Sequence, residues 1–401
     1  MSSSQLTSSA GSTRRVVLGV VAATCVVSWP AYLVAAQSVQ IRATMDFTRP
    51  LLGVVLACYY MGSAACALLG GILAELLGGL RVLRYAMLLS VVVLIAIGWL
   101  VQSWVILAAV LFAAGAGSTA GQSASNLVLS RRVPQRRRGV AFGAKQAGVP
   151  LAFLVGGSAV PVVALTVGWR WTFLVAGVIS LIGLFAVPQP RGRLGQRVRS
   201  ARASWNPESS GPLIVLACGF GLALMACASA ATYLVAAVVA GGVAPAAAGI
   251  FVAGASLGNI VVRVGTGVAI DRGAKGRFGA IGCMLGVGAL GFLAMAVGSW
   301  SHQGVVLLAG GFLAFSVGWG WNGLFNLAVV ESHARAPARA TGIVQTGGRI
   351  GSLLGPLLFA LILVRWSYSV GWLVASIEAV AGAAVMLIAG RLIQRTAIRA
   401  A

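Results

Sequence analysis

Three cations stand inside long apolar runs: Lys145, Arg263 and Arg349. Arg263 precedes Asp271, where its run ends, by eight residues, so at the α-helical rise it lies ~12 Å from that end. Arg349 lies ten residues past Arg339, ~15 Å in, and Lys145 seven past Arg138, ~10 Å in. A charge at such depth in hydrocarbon costs several kcal/mol unless it meets water, a partner or a ligand. Outside the turns one carboxylate, Glu378, shares the apolar runs, so three positive charges face one negative. That surplus favours an anion, and a guanidinium offers a two-pronged fork to a carboxylate or similar oxyanion. The blander readings are also physical. Lys145 is shallow enough to stretch its stem to the surface, and Arg263 has helix-end carbonyls or a carboxylate as alternative partners. Arg349 is the deepest, and Gly347, Gly348 and Gly351 leave space around it.

Other chemistries lack their residues. Catalysis needs a nucleophile with a base, or metal ligands. The two histidines, His302 and His333, fall at loop edges on opposite faces, with no HExxH pattern and no paired intramembrane Asp. The six cysteines (Cys25, Cys58, Cys66, Cys218, Cys227, Cys283) lie in apolar segments without a CxxC pair, so they read as small packing residues. No catalytic residue, metal or cofactor is expected.

The elements that must position these cations are membrane helices. Hydrophobic residues make up 59% of the chain and charged residues 9%, against about 25% charged in a soluble domain. A net charge of +23 would suit a nucleic-acid partner, but the cations sit in short turns between apolar runs, which excludes that class. A hydrocarbon core of ~30 Å needs about 20 apolar residues per helix. Twelve runs qualify: 16–37, 51–75, 82–101, 104–130, 139–163, 171–188, 212–238, 246–270, 278–299, 303–330, 341–364 and 368–391. The fold class is therefore all-α, an integral membrane protein of twelve transmembrane helices. A Ser-rich start, residues 1–15, reads as a disordered tail, and 392–401 as a second tail. Of the 29 Lys and Arg, 22 fall in the tails and on one set of turns and four on the other, so both termini are expected in the cytoplasm. The high ratio of Arg to Lys points to a GC-rich bacterium and hence to its cell membrane.

The chain repeats itself. Tyr32 opens a YLVAA string that returns at Tyr233; Gly53, Gly62, Gly71 and Glu75 match Gly249, Gly258, Gly267 and Asp271; Asn126 matches Asn326; Gln146 matches Gln345. Two parallel-related six-helix bundles follow, 16–188 and 212–391, joined by a basic linker at 189–211, with a binding site near the midplane between them. The turns after helices 2 and 8 repeat as well, GILAELLGGLR from Gly71 to Arg81 and GVAIDRGAKGR from Gly267 to Arg277. Gly71 and Gly267 allow close helix approach, and a carboxylate at a helix end, Glu75 or Asp271, can pair with Arg or with another helix's positive N-terminus. Arg81, Arg272 and Arg277 complete this candidate gate.

These features resemble the major facilitator superfamily of transporters, whose turn between helices 2 and 3 runs roughly G-x-L-A-D-R-x-G-R-R. The first copy departs from the pattern, with Glu75 for Asp and Leu76 for Arg, which weakens its gate pairing. The resemblance implies that helices 1, 4, 7 and 10 line a central cavity and that helices 5, 8 and 11 border it. Candidate substrate contacts are then Arg349, Arg263, Lys145, Tyr32, Tyr233, Gln122, Asn126, Trp319 and Asn322, with Trp29, Gln37, Trp321 and Asn326 as softer ones. Paired cations in helices 8 and 11 are similar to those of the oxalate:formate antiporter, and an Arg in helix 8 is usual in monocarboxylate transporters. The implied function is rocker-switch transport of a small organic or inorganic anion, first a carboxylate, alone or with a proton or counter-anion. The alternative is export of an antibiotic or other amphipathic drug. The carboxylate and Arg that proton-driven drug exporters carry in helices 1 and 4 are missing here. Trp29-Pro30 and Gly355-Pro356 mark expected kinks.

Overall fold

The computed structural model describes residues 3–45, 47–189, 210–274, 276–333 and 337–399. The basic linker, apart from its ends, and Lys275 lie outside the described residues. The first half contains α1 (Ser3–Ala36), α2 (Ser38–Met45), α3 (Arg49–Ala65), α4 (Ala67–Leu77), α5 (Gly79–Trp99), α6 (Trp104–Arg132), α7 (Arg138–Ala159) and α8 (Trp169–Gly183). The second contains α9 (Ser210–Ala240), α10 (Pro245–Asp271), α11 (Arg277–Trp300), α12 (Gly304–Ser316), α13 (Asn322–Ser332), α14 (Pro337–Arg365) and α15 (Tyr368–Arg399). No strand occurs among the described residues.

The helices carry their apolar residues outward as well as inward. Trp99, Val105, Phe185, Val305 and Leu361 are exposed at 55–81% where a soluble protein would place charge. Such a surface suits lipid, in which only structures that satisfy their own backbone persist. Among the described residues nine helical stretches are long and apolar enough to cross a membrane, or ten if α3 and α4, bent by 52°, count as one. The difference from the expected twelve has local causes. The stretch from Gln135 to Ala186 stays helical throughout, passing through a π-helix over Val160–Gly168, and the tenth apolar run breaks at 317–321 into α12 and α13.

One expectation changes. Residues 3–15 are helical rather than a disordered tail: without proline, the Ser- and Ala-containing start continues the helix of the apolar run behind it. α1 and α14 run on as helix through Pro30 and Pro356, the expected kink points.

Contacts recur between the halves. The Ser63 hydroxyl (α3) bonds that of Thr119 (α6), and Asn259 Nδ2 (α10) donates to the Phe315 carbonyl (α12) at 2.5 Å, each pair 56 residues apart. Lys145 reaches Asn126, and Gln345 reaches Asn326, each pair 19 apart. Two seams join the halves. Along α7–α10 the backbones meet through glycine: a Cβ on Gly143 would stand 2.6 Å from the Arg263 carbonyl, and one on Gly267 2.7 Å from that of Gly139. Along α3–α14, a Cβ on Gly53 would stand 2.6 Å from the Pro356 carbonyl. The expectation of close packing at Gly71 is not met. A Cβ there would meet nothing within 4 Å, because α4 swings away from the line of α3 and leaves the end of this seam open.

Candidate functional site

A cavity of about 970 Å³ lies between the halves and reaches the end that carries Ser130, Gln135 and Arg138. Lys145, Arg263 and Arg349 line it, with Tyr32, Gln122, Asn126, Trp319 and Asn322. Tyr233 does not. The cavity-facing stripe of α9 is Phe220, Leu224 and Ala228, spaced by four; Tyr233 lies five beyond, rotated well off that stripe. It is wholly buried, its ring stacked on Phe359 at 4.7 Å and its hydroxyl against Gly53. Trp29, Gln37 and Trp321 are likewise packed away from the cavity.

The three cations differ in access. Arg349 is partly exposed, towards the cavity, and its Nη1 donates to Ser63 Oγ at 2.6 Å, across the seam. Lys145 is 2% exposed; it does not stretch to the surface but donates from Nζ to Asn126 Oδ1 at 3.0 Å. Arg263 is 1% exposed and donates to Asn259 Oδ1, the Gln146 carbonyl and the Trp319 carbonyl at 2.5, 2.8 and 2.9 Å. Among the described residues none of the three forms an ion pair. Glu378, on α15, is buried and does not line the cavity. Glu75 and Glu331 stand among the lining near the open end, and Glu331 pairs with Arg277. Deep in the cavity the charge is positive.

Neutral groups surround these cations. Gln345 Nε2 donates to Asn326 Oδ1 at 2.8 Å, Asn326 Nδ2 to Asn322 Oδ1 at 3.3 Å, and Gln146 Nε2 to the same oxygen at 3.4 Å. Tyr59 donates to Ser118 at 2.8 Å. Tyr32 and Trp319 form an inner wall, backed by Phe153 and Phe315 with ring centres 4.7–6.1 Å apart. The sequence reading missed Tyr59, Tyr60, Gln146, Gln345 and the Ser118–Thr119 pair as lining residues. Gln146 and Gln345 carried a signal, since they hold matched places in the two repeats; the others had none beyond being polar in an apolar helix.

The residues of the expected gate divide. Asp271 accepts from the backbone N–H of Gly139 and Val140, both at 3.0 Å, and so caps the N-terminus of α7 in the other half. Arg81 donates to the Leu77 carbonyl at 3.3 Å, and Arg272 is exposed. Glu75, at the place that matches Asp271, has no hydrogen bond or ion pair among the described residues. Asp271→Ala leaves those two N–H groups without their acceptor. It is expected to cost about 1 kcal/mol, read as a lower melting point, whereas Glu75→Ala should cost little.

The family model of the Major Facilitator Superfamily matches residues 17–356. Over 173 residues, 42% of this chain, the sequence is 28% identical to a probable sulfoacetate transporter of Cupriavidus necator, and the match spans 39% of that protein's length, well under two thirds. The fold is similar to the crystal structure of a D-xylose-proton symporter, with a TM-score of 0.73 at 15% identity, over 93% of this chain and 96% of that one. Apolar helices that cross the membrane repeatedly, a cavity between two related halves and a family match over most of the sequence agree: the chain is a multi-pass membrane protein and belongs to the major facilitator superfamily of transporters.

Proposed function

We propose that this transporter moves a small organic or inorganic anion, first a carboxylate or sulfonate, across a bacterial cell membrane by rocking of two six-helix bundles about the cavity. The carrying observation is three intramembrane cations around one cavity, none of them ion-paired with a carboxylate among the described residues. Arg349, the accessible one, is the anion's first contact; Lys145 and Arg263 add field from within the wall. In an apolar, water-poor site such charges attract far more strongly than in bulk water. Sulfoacetate, the substrate for which the Cupriavidus necator relative is named, is an anion of this class. The twelve-helix arrangement is the reading of the twelve apolar runs, and both termini in the cytoplasm that of the distribution of Lys and Arg. A coupled proton can ride on the anion itself, and counter-anion exchange needs no protein carboxylate either.

A second reading, export of an amphipathic drug, draws on the size and aromatic wall of the cavity, which at about 970 Å³ exceeds what a two-carbon acid fills. Thermal stability of the purified protein against small carboxylates, sulfonates, inorganic oxyanions and cationic drugs separates the two. A ligand that binds the folded state raises the melting point, by RT ln(1 + [L]/Kd) in free energy. Stabilisation by an anion and not by cationic drugs is expected. Stabilisation by drugs alone would replace the anion reading with the export reading.

A further inference from the structure

Two carbonyls beside the cavity have been freed by the chain's own sequence. Residue 150 in α7 is proline, which has no N–H for the carbonyl four residues back, and that carbonyl belongs to Gln146. Trp319 lies in the break between α12 and α13, where the regular helical ladder lapses. Both carbonyls accept from one side chain: Arg263 Nη1 donates to Gln146 O and Nη2 to Trp319 O. Nε completes the set on Asn259 Oδ1, and Asn259 donates in turn to Phe315 O, four residues before Trp319. The guanidinium carbon also stands 5.6 Å from the centre of the Trp319 ring. Gln146 belongs to the first half, and Asn259 and Trp319 to the second, so this side chain ties the halves together.

We infer that Arg263 is a positioning residue rather than a contact for the anion. Its fork closes the carbonyl freed by Pro150 and the one exposed in the helix break, and thereby sets where Lys145 and the Trp319 ring stand in the cavity. An anion that took the fork would strip both carbonyls of their donor, and a buried acceptor left unpaired is costly. At 1% exposure the group is already enclosed by its partners. Lysine cannot substitute: one ammonium on a flexible stem lacks the planar fork that reaches two carbonyls at once. The inference rests on the anion-carrier reading for its transport readout alone, since its stability readout needs no substrate.

The test is a cycle of wild type, Arg263→Lys, Pro150→Ala and the double variant. Without ligand, Arg263→Lys should melt about 4 °C or more below wild type. Pro150→Ala gives residue 150 an N–H for the Gln146 carbonyl, so it should recover about half of that loss or more in the double variant, a coupling that only connected sites show. In proteoliposomes, with the anion that stabilises wild type, the double variant should regain transport with KM within about threefold of wild type, because charge is kept and the wall is rebuilt. A direct contact behaves differently. Arg263→Lys would then melt as wild type does, and KM would stay raised about tenfold or more whatever residue 150 is; that result overturns the inference. An equal shift from Pro150→Ala in both backgrounds overturns it too. Should Arg263→Lys yield no folded protein, recovery of folded protein in the double variant supports the inference, and no recovery overturns it. If no anion stabilises wild type, the carrier reading fails while the melting cycle still decides this one.

Discussion

Arg349→Ala is expected to abolish anion-dependent stabilisation and transport while leaving the ligand-free protein at least as stable as wild type. The two halves of that expectation have one cause. Arg349 is an intramembrane cation that donates to a neutral hydroxyl, Ser63 Oγ, and no carboxylate pairs with it among the described residues. Such a charge is a burden on the empty protein, so its removal should not lower the melting point. In the proposed function a bound anion repays it. Deleting one partner of a desolvated charge pair typically costs about 2–5 kcal/mol, or roughly 30- to several-thousand-fold in affinity. Arg349→Lys keeps the charge without the fork and should fall between the two. Titration of melting point against the anion, with uptake into proteoliposomes, checks all three proteins. An Arg349→Ala protein that binds and transports the anion as wild type does would remove the carrying observation from the proposed function. The contrast with Arg263 sharpens the test: its replacement should harm the empty protein, and that of Arg349 should not.

The legible part of the fold is the part governed by composition. Apolar runs of about 20 residues must become helices in lipid, and the helices found fall on all twelve of the runs. The repeat was visible because matched residues survive at nearly constant spacing, and the paired contacts at Ser63–Thr119 and Asn259–Phe315 show why: the same crossing is made twice. Directions around a helix were harder. Tyr233 matches Tyr32 in sequence yet faces Phe359, since a side chain's facing changes by about 100° per residue and a string match does not fix phase. Breaks were hardest. Prolines 30 and 356 suggested kinks, while the interruptions fall at Cys66, at the π-helix from Val160 and at 317–321, where Arg263 supplies a donor to the Trp319 carbonyl. A charge inside an apolar run was the most informative signal, because its cost obliges the fold to give it a partner or a purpose. Which of the two it received could be read only from its neighbours.

Gly71→Leu and Gly267→Leu, substitutions at matched places in the two repeats, are expected to fail in opposite ways. Gly267 lies against Gly139, where a Cβ would stand 2.7 Å from a backbone carbonyl, and Asp271 caps α7 four residues on. Leucine there must push two helices apart along their tightest seam, so little folded protein should be recovered; overpacking alone costs about 1–3 kcal/mol, and loss of the cap adds about 1. Gly71 lines the cavity near its open end, with nothing within 4 Å of a Cβ. Leucine fits this conformation, so Gly71→Leu should fold, melt within about 2 °C of wild type and still be stabilised by the anion. Transport is another matter. If the halves rock, α4 must close on α14 as α10 now closes on α7, and small residues are what permit helices to meet that closely in a membrane. A leucine at 71 would then hold the cavity open at one end, and uptake should fall about tenfold or more with binding retained. Normal uptake by a folded Gly71→Leu protein would mean that this seam does not close during the cycle. The intact α7–α10 seam would then be the hinge about which some other contact opens and shuts.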